Sequence, residues 1–172
     1  MYAWMTGSAA EIPGKISRER EMMDDRKEIL MKEIDLIQGC INRMAQNSFV
    51  IKGWTITLIA VVLALLPETV DLQVLSGVGV IATLCFWYLD AFFLRTERLY
   101  RWKYEWVIKN RKVSAEHCYD LNPDNEKMWM PDKYGNARVK PPIIRIMITK
   151  TLTPVYLPLL ILSIVAMVIE QT

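Results

Sequence analysis

The sequence predicts an all-α integral membrane protein, with about three transmembrane helices and a cytoplasmic helical stalk. Three observations predict it. All 21 Lys and Arg residues fall within 15–52 and 95–150, so the windows 53–94 and 151–172 hold none. Three long apolar runs, 49–66, 72–89 and 151–169, lie almost wholly within those windows. Mean hydropathy is +0.16 although 23% of residues are charged, so apolar and charged residues are segregated along the chain.

A membrane-spanning helix needs about 20 apolar residues, within a range of roughly 17–25. The first run carries one charge, Lys52, and the other two carry none. Buried helices of a soluble protein are the alternative, but they would need polar faces or more partners than 172 residues supply. The loop 67–71 between runs one and two has only the acids Glu68 and Asp71, so it should face outward. The basic segments should face the cytoplasm, with the N-terminus in and the C-terminus, Glu170 to Thr172, out. Trp54, Phe86, Trp87, Tyr88, Phe92 and Phe93 mark the inner interface. Pro154 and Pro158 interrupt the third run, which leaves a spanning helix and a kinked or re-entrant one both open.

Five segments follow. Residues 1–16 read as a loose tail. Ser17 is a candidate N-cap for an amphipathic cytoplasmic helix over 17–48. Its residues Leu30, Ile34, Ile37, Ile41 and Met44 form a short heptad seam, suited either to packing within the chain or to self-association. Residues 49–94 form the transmembrane hairpin. Residues 95–140 are a cytoplasmic helix, continuous with run two as far as 110, followed by a connector. In that helix Leu99, Trp102 and Trp106 share a face that should meet the seam. In the connector Met128, Trp129 and Met130 should dock on the stalk or dip into the interface. These six residues are the candidate partner surface. Residues 141–172 begin with Pro141 and Pro142, which suit a helix start along the interface leading into the third span.

The chain offers little chemistry. Its one histidine, His117, has Cys118 beside it but no spaced ligand set, so no metal is expected. No phosphate-binding glycine loop and no nucleophile with a base is present, so neither a cofactor nor an enzyme is expected. Cys40, Cys85 and Cys118 form no disulfide framework. A net charge of +2 is too small to argue for nucleic acid, so no nucleic-acid partner is expected. The expected partners are the bilayer, other copies of the chain, and a soluble cytoplasmic protein.

Packing residues are more informative. Gly53, Thr57, Ala60 and Ala64 form a small-residue stripe on run one, and Ser76, Gly79 and Thr83 form another on run two. Such stripes let helices approach closely in lipid. They could face each other in the hairpin or face other copies. Asp90, at the inner end of run two, is costly unless paired or hydrated. With a hairpin apex at position 69, Lys52 and Asp90 lie within roughly 6 Å of the same depth. A Lys52–Asp90 ion pair is therefore allowed, with Arg95 and Arg98 as competitors.

Three stretches carry a resemblance. They are Ile41-Asn42-Arg43-Met44-Ala45-Gln46-Asn47-Ser48-Phe49 with Ile51-Lys52-Gly53-Trp54; Phe86-Trp87-Tyr88-Leu89-Asp90-Ala91 leading to Glu97-Arg98-Leu99-Tyr100-Arg101; and Thr149-Lys150-Thr151-Leu152 with Tyr156-Leu157-Pro158-Leu159. From about residue 33 onward, the connector excepted, the chain resembles a widespread, functionally uncharacterised group of small bacterial inner-membrane proteins. In architecture it is also similar to small membrane effectors proposed for bacterial antiviral defence. The resemblance implies a bacterial inner-membrane location and, as a function, an oligomeric membrane-perturbing effector acting as a pore or leak. An anchor or sensor for a soluble partner, and a structural or transporter accessory subunit, are the alternatives.

Overall fold

The computed structural model describes residues 11–65 and 72–169, whose regular secondary structure is helical with no strand. Residues 1–10 of the expected tail over 1–16, the outward loop 67–71 and the C-terminal residues 170–172 lie outside them, while residues 11–16 belong to the first helix. Helix α1 spans Glu11–Leu65 and α2 spans Leu72–Asn110. A single 3-10 turn follows at Glu126–Met128, then α3 at Ile143–Met147 and α4 at Thr153–Ile169.

Three boundaries differ from the sequence reading. Helix α1 starts at Glu11 rather than at Ser17, so Ser17 lies inside it and is not its N-cap. Pro13 falls in the first turn, where its missing N–H would be unpaired anyway. Nor does α1 break near residue 48: the amphipathic helix and run one are one helix of 55 residues. The segment after Pro142 divides instead of leading directly into the third run. Helix α3 has five residues, and a turn separates it from α4. Thr149 and Thr153 cap that break, donating from Oγ1 to Ile146 O at 2.7 Å and Met147 O at 3.4 Å. Pro154 then sits in the first turn of α4, while Pro158 lies inside an unbroken helix.

Helix α2 packs against all four other elements. Its partnership with α1 is antiparallel, as the cross-links Lys52–Asp90, Gln38–Tyr104 and Glu33–Arg111 show. Two apolar clusters lie along it. In the polar half, the seam residues Leu30 and Ile37 are buried against Val107 and Met128, flanked by Ile34, Ile41, Tyr100, Tyr104 and Trp106. In the apolar half, Trp87 and Ala91 are buried with Ile146, Leu152 and Tyr156. Trp87 stacks on Tyr156, with centroids 5.9 Å apart and planes 11° from parallel, and donates Nε1–H to Met147 O at 3.0 Å. That bond ties the short α3 to α2.

Among the described residues one helix, Gln73–Asn110, is long and apolar enough to cross a membrane, and Thr153–Val168 is a shorter apolar helix.

The two small-residue stripes do not meet. Gly53, Thr57 and Ala60 face outward, and the side chain of Ala64 lies outside the described residues. The inward face of α1 at this level is Thr55 with Ile59, four residues apart. The stripe on α2 does face inward: Ser76 and Thr83 are buried, and Gly79 lies against α4. A Cβ on Gly79 would stand 3.1 Å from Ser163 Oγ, whereas one on Gly53 would meet nothing within 4 Å.

This contrast gives a test. Gly79→Leu should lower the thermal stability of the full chain in detergent by about 1–3 kcal/mol, the usual cost of overpacking. Gly53→Ala should cause no loss and should add a few tenths of a kcal/mol from helix propensity. Equal losses at both positions would contradict the arrangement.

Candidate functional site

The site with the most constrained chemistry lies where the apolar and polar halves meet. Asp90 has no exposed surface. Helix α1 supplies Ser48 and Lys52, one turn apart on its inward face, and α4 supplies Tyr156. The Lys52 ammonium lies 2.7 Å from Asp90 Oδ2. Tyr156 donates Oη–H to the same oxygen at 3.0 Å, and Ser48 donates Oγ–H to Oδ1. Lys52 also donates to Ser48 Oγ at 2.7 Å, which closes a ring of three side chains. A carboxylate accepts at both oxygens, and here both are engaged.

The structure thus brings together Lys52 and Asp90, and not Arg95 or Arg98, the competing partners. Arg95 rests over the Phe92 ring at 5.8 Å. Sequence reasoning missed Ser48 and Tyr156. A signal for Ser48 was present, since it lies one turn before Lys52 on the line continued from Ile41 and Met44. Tyr156 had none, because depth on a third helix cannot be counted from a hairpin apex.

A second polar site closes the far end of the stalk. Glu33 of α1 and Arg111, just beyond α2, are buried together. Every N–H of the guanidinium has an acceptor. Nε and Nη2 donate to the two Glu33 oxygens, Nη2 at 2.9 Å. Nη1 donates to the carbonyls of Ser114 at 3.1 Å and Glu116 at 2.6 Å, and Nη2 also donates to that of His117 at 3.0 Å. Tyr119 N–H donates to Glu33 Oε1 at 2.6 Å. His117 and Tyr119 adopt φ of 54° and 55°, a left-handed backbone that L side chains rarely take. The Arg111–Glu33 pair holds that strained turn in place. His117 therefore has a structural setting, beside Trp106 at 6.4 Å.

Between these sites Lys103 is fully buried, donating to Asn122 O at 2.8 Å with Asp120 Oδ1 at 3.3 Å. Burial pushes the Lys103 ammonium below the ordinary lysine value, against the opposing pull of Asp120. Burial also acts to raise Asp120. The Asn125 amide, the Asn122 backbone N–H and Lys103 outweigh it, so Asp120 titrates below the ordinary carboxylate value.

These contacts wrap the connector onto α2, and they change the reading of the partner surface. Leu99, Met128 and Trp129, expected to face a partner, are buried inside the chain. Trp129 packs edge-on against Trp102 at 5.4 Å and donates Nε1–H to Pro123 O at 3.0 Å. Trp102 and Met130 are half-buried, and Trp106 is half-buried at the edge of the seam cluster. The connector docks because Trp129 and Met128 find more apolar contact on α2 than in water.

No group of acids, histidines and cysteines able to hold a metal occurs among the described residues. No family model, no curated protein and no solved structure matches the chain.

The connector makes a pH prediction. A carboxyl held below its unfolded value stabilises the fold above the ordinary range near 3.8, and that stability is lost as pH falls through the lowered value. Asp120→Asn should therefore be less stable than the parent at neutral pH, and the gap should close on acidification from about pH 5 to about pH 2. Thermal unfolding across that range checks it. A gap that stays constant would contradict the assignment.

Proposed function

We propose that this chain is an integral membrane protein whose apolar half is a three-helix bundle in the bilayer and whose polar half is a cytoplasmic stalk. We assign it to the class of membrane anchors or sensors for a soluble partner. The observation that carries the membrane reading is exposure. Only 22% of the most apolar stretch of α2 is buried. Outward-facing residues of the same half include Trp54, Ile56, Val61, Val74, Ile81, Ile161 and Leu162. A core helix of a soluble protein would be mostly covered, and soluble monomers rarely expose so continuous an apolar surface. The Lys and Arg distribution then supports an orientation with N-terminus in and C-terminus out, and the resemblance suggests the inner membrane of a bacterium.

Two features favour an anchor or sensor over a leak. Lys52 and Asp90, the charges that could line water in the apolar half, are engaged with each other. Helices α1 and α2 also run unbroken from one half to the other, so a displacement of the stalk is carried into the bundle. With Leu99, Met128 and Trp129 buried, one apolar surface left for a partner is the far end of α1, where Met22, Met23 and Met31 are exposed. The second reading, an oligomeric effector that perturbs the membrane in antiviral defence, is favoured by one observation. The stripe of Gly53, Thr57 and Ala60 faces outward, where it suits close approach of another copy.

Two measurements separate these readings. After expression in a bacterial host, the protein should stay with the membrane pellet through alkaline carbonate extraction, and release into the supernatant would overturn the membrane reading. Induced expression should leave membrane potential intact. Rapid depolarisation would overturn the anchor reading in favour of a leak.

A further inference from the structure

We propose that the waist between the two halves binds the phosphate of an anionic phospholipid headgroup, through Arg95 and Arg98 of α2, Arg145 of α3 and Lys150 behind it. The inference rests on the membrane reading. It starts from a charge imbalance. In the stalk most buried or half-buried cations have carboxylates: Lys103 has Asp120, Arg111 has Glu33, and Arg138 has Glu105. At the waist the two half-buried arginines, Arg95 and Arg98, have no carboxylate partner among the described residues, and the exposed Arg145 and Lys150 add two further unpaired charges. The two acids at this level are already engaged, Asp90 with Lys52 and Glu97 with Arg101.

Placement concentrates the imbalance. Trp87, Ala91 and Leu94 form the strip of α2 on which Ile143, Ile146 and Met147 sit. Arg98 lies one turn beyond Leu94 on that strip, and Arg95 lies beside it. Arg145 is exposed on α3, and Lys150 is exposed in the turn that follows. Arg95 is held rather than free: its guanidinium lies over Phe92, and its Nε is buried without a hydrogen-bond partner. A buried donor without an acceptor is costly, and a phosphate oxygen would satisfy it. Arginine forks match phosphate in two-point contact.

The surroundings fit a lipid rather than a soluble anion. Ile144 and Ile148, on the outer side of the same segment, are 61% and 68% exposed. Basic and apolar residues side by side at the edge of an apolar bundle match the boundary between headgroups and acyl chains.

The test uses the full chain, purified in non-ionic detergent and reconstituted in phosphatidylcholine nanodiscs with a minor share of phosphatidylglycerol. The readout is the phosphatidylglycerol retained on the protein relative to its share in empty discs. Enrichment is expected. The triple change Arg95→Gln, Arg98→Gln and Arg145→Gln should reduce that selectivity about ten-fold or more. Removing equal charge at Lys109, Lys127 and Lys133 should leave it unchanged. Absence of enrichment, or equal loss in both triple variants, would overturn the site. So would loss of enrichment to inorganic phosphate at matched ionic strength, which would make the ligand a free anion. Failure of the parent to enter any disc would instead reject the membrane reading, and the site with it.

Discussion

A carboxylate with no exposed surface must be satisfied by its neighbours, and the way Asp90 is satisfied fixes how three helices sit together. Its partners are Ser48 and Lys52 of α1 and Tyr156 of α4. Leaving such a group unpaired costs several kcal/mol, far more than small shifts in apolar packing. Apolar contact alone would let α1 slide by a turn against α2 with modest loss, because one aliphatic side chain replaces another. The carboxylate permits no such slide. The Glu33–Arg111 pair repeats the constraint at the other end of the stalk. Between the two, a helix of 55 residues and one of 39 keep one register through surroundings of opposite polarity.

The same arrangement explains how one packing scheme serves both halves. Along α2 and one residue past its end, Ser76, Thr83, Asp90, Glu97, Tyr104 and Arg111 recur every seven residues. A seven-residue repeat keeps one side of a helix toward its partner when the two wind gently around each other. Three members of the row reach α1 directly: Asp90 to Ser48 and Lys52, Tyr104 to Gln38, and Arg111 to Glu33. On α1 the row Leu30, Ile37, Met44 and Ile51 has the same period, with Ser48 and Thr55 buried beside it. In the polar half the α1 row buries Leu30 and Ile37 away from water, while the α2 row supplies Glu97, Tyr104 and Arg111. In the apolar half the α2 row buries two hydroxyls and one carboxylate away from the apolar exterior. The period is shared by both halves.

How much of this was legible in the sequence depends on distance along the chain. The seam on α1 and the unbroken passage of α2 from residue 89 to 110 are local patterns, set by periodicity and by the absence of Gly and Pro. The depth match of Lys52 and Asp90 could be counted because a hairpin ties depth to residue number. The same count brings Glu33 within about two turns of Arg111, so that pair was within reach of the argument. The start of α1 was misplaced because Ser17 looks like a cap while Pro13, in a first turn, permits an earlier one. The outward turn of Gly53, Thr57 and Ala60 was not legible. Small residues at helical spacing mark a face that can be approached closely, and say nothing about what approaches it. The burial of Met128 and Trp129 depends on Arg111, Lys103 and Tyr100 gathering the connector by its backbone carbonyls, contacts that leave no trace in spacing.

The arrangement of the three helices depends on the contact between Lys52 and Asp90. The most direct measurement is a double-mutant cycle on the full chain, comparing Lys52→Met, Asp90→Leu and the combined variant by thermal unfolding in one detergent. Lys52→Met alone strands a buried carboxylate and should cost about 3–5 kcal/mol, while adding Asp90→Leu should restore most of that loss. A Lys52→Met variant as stable as the double variant would contradict the account.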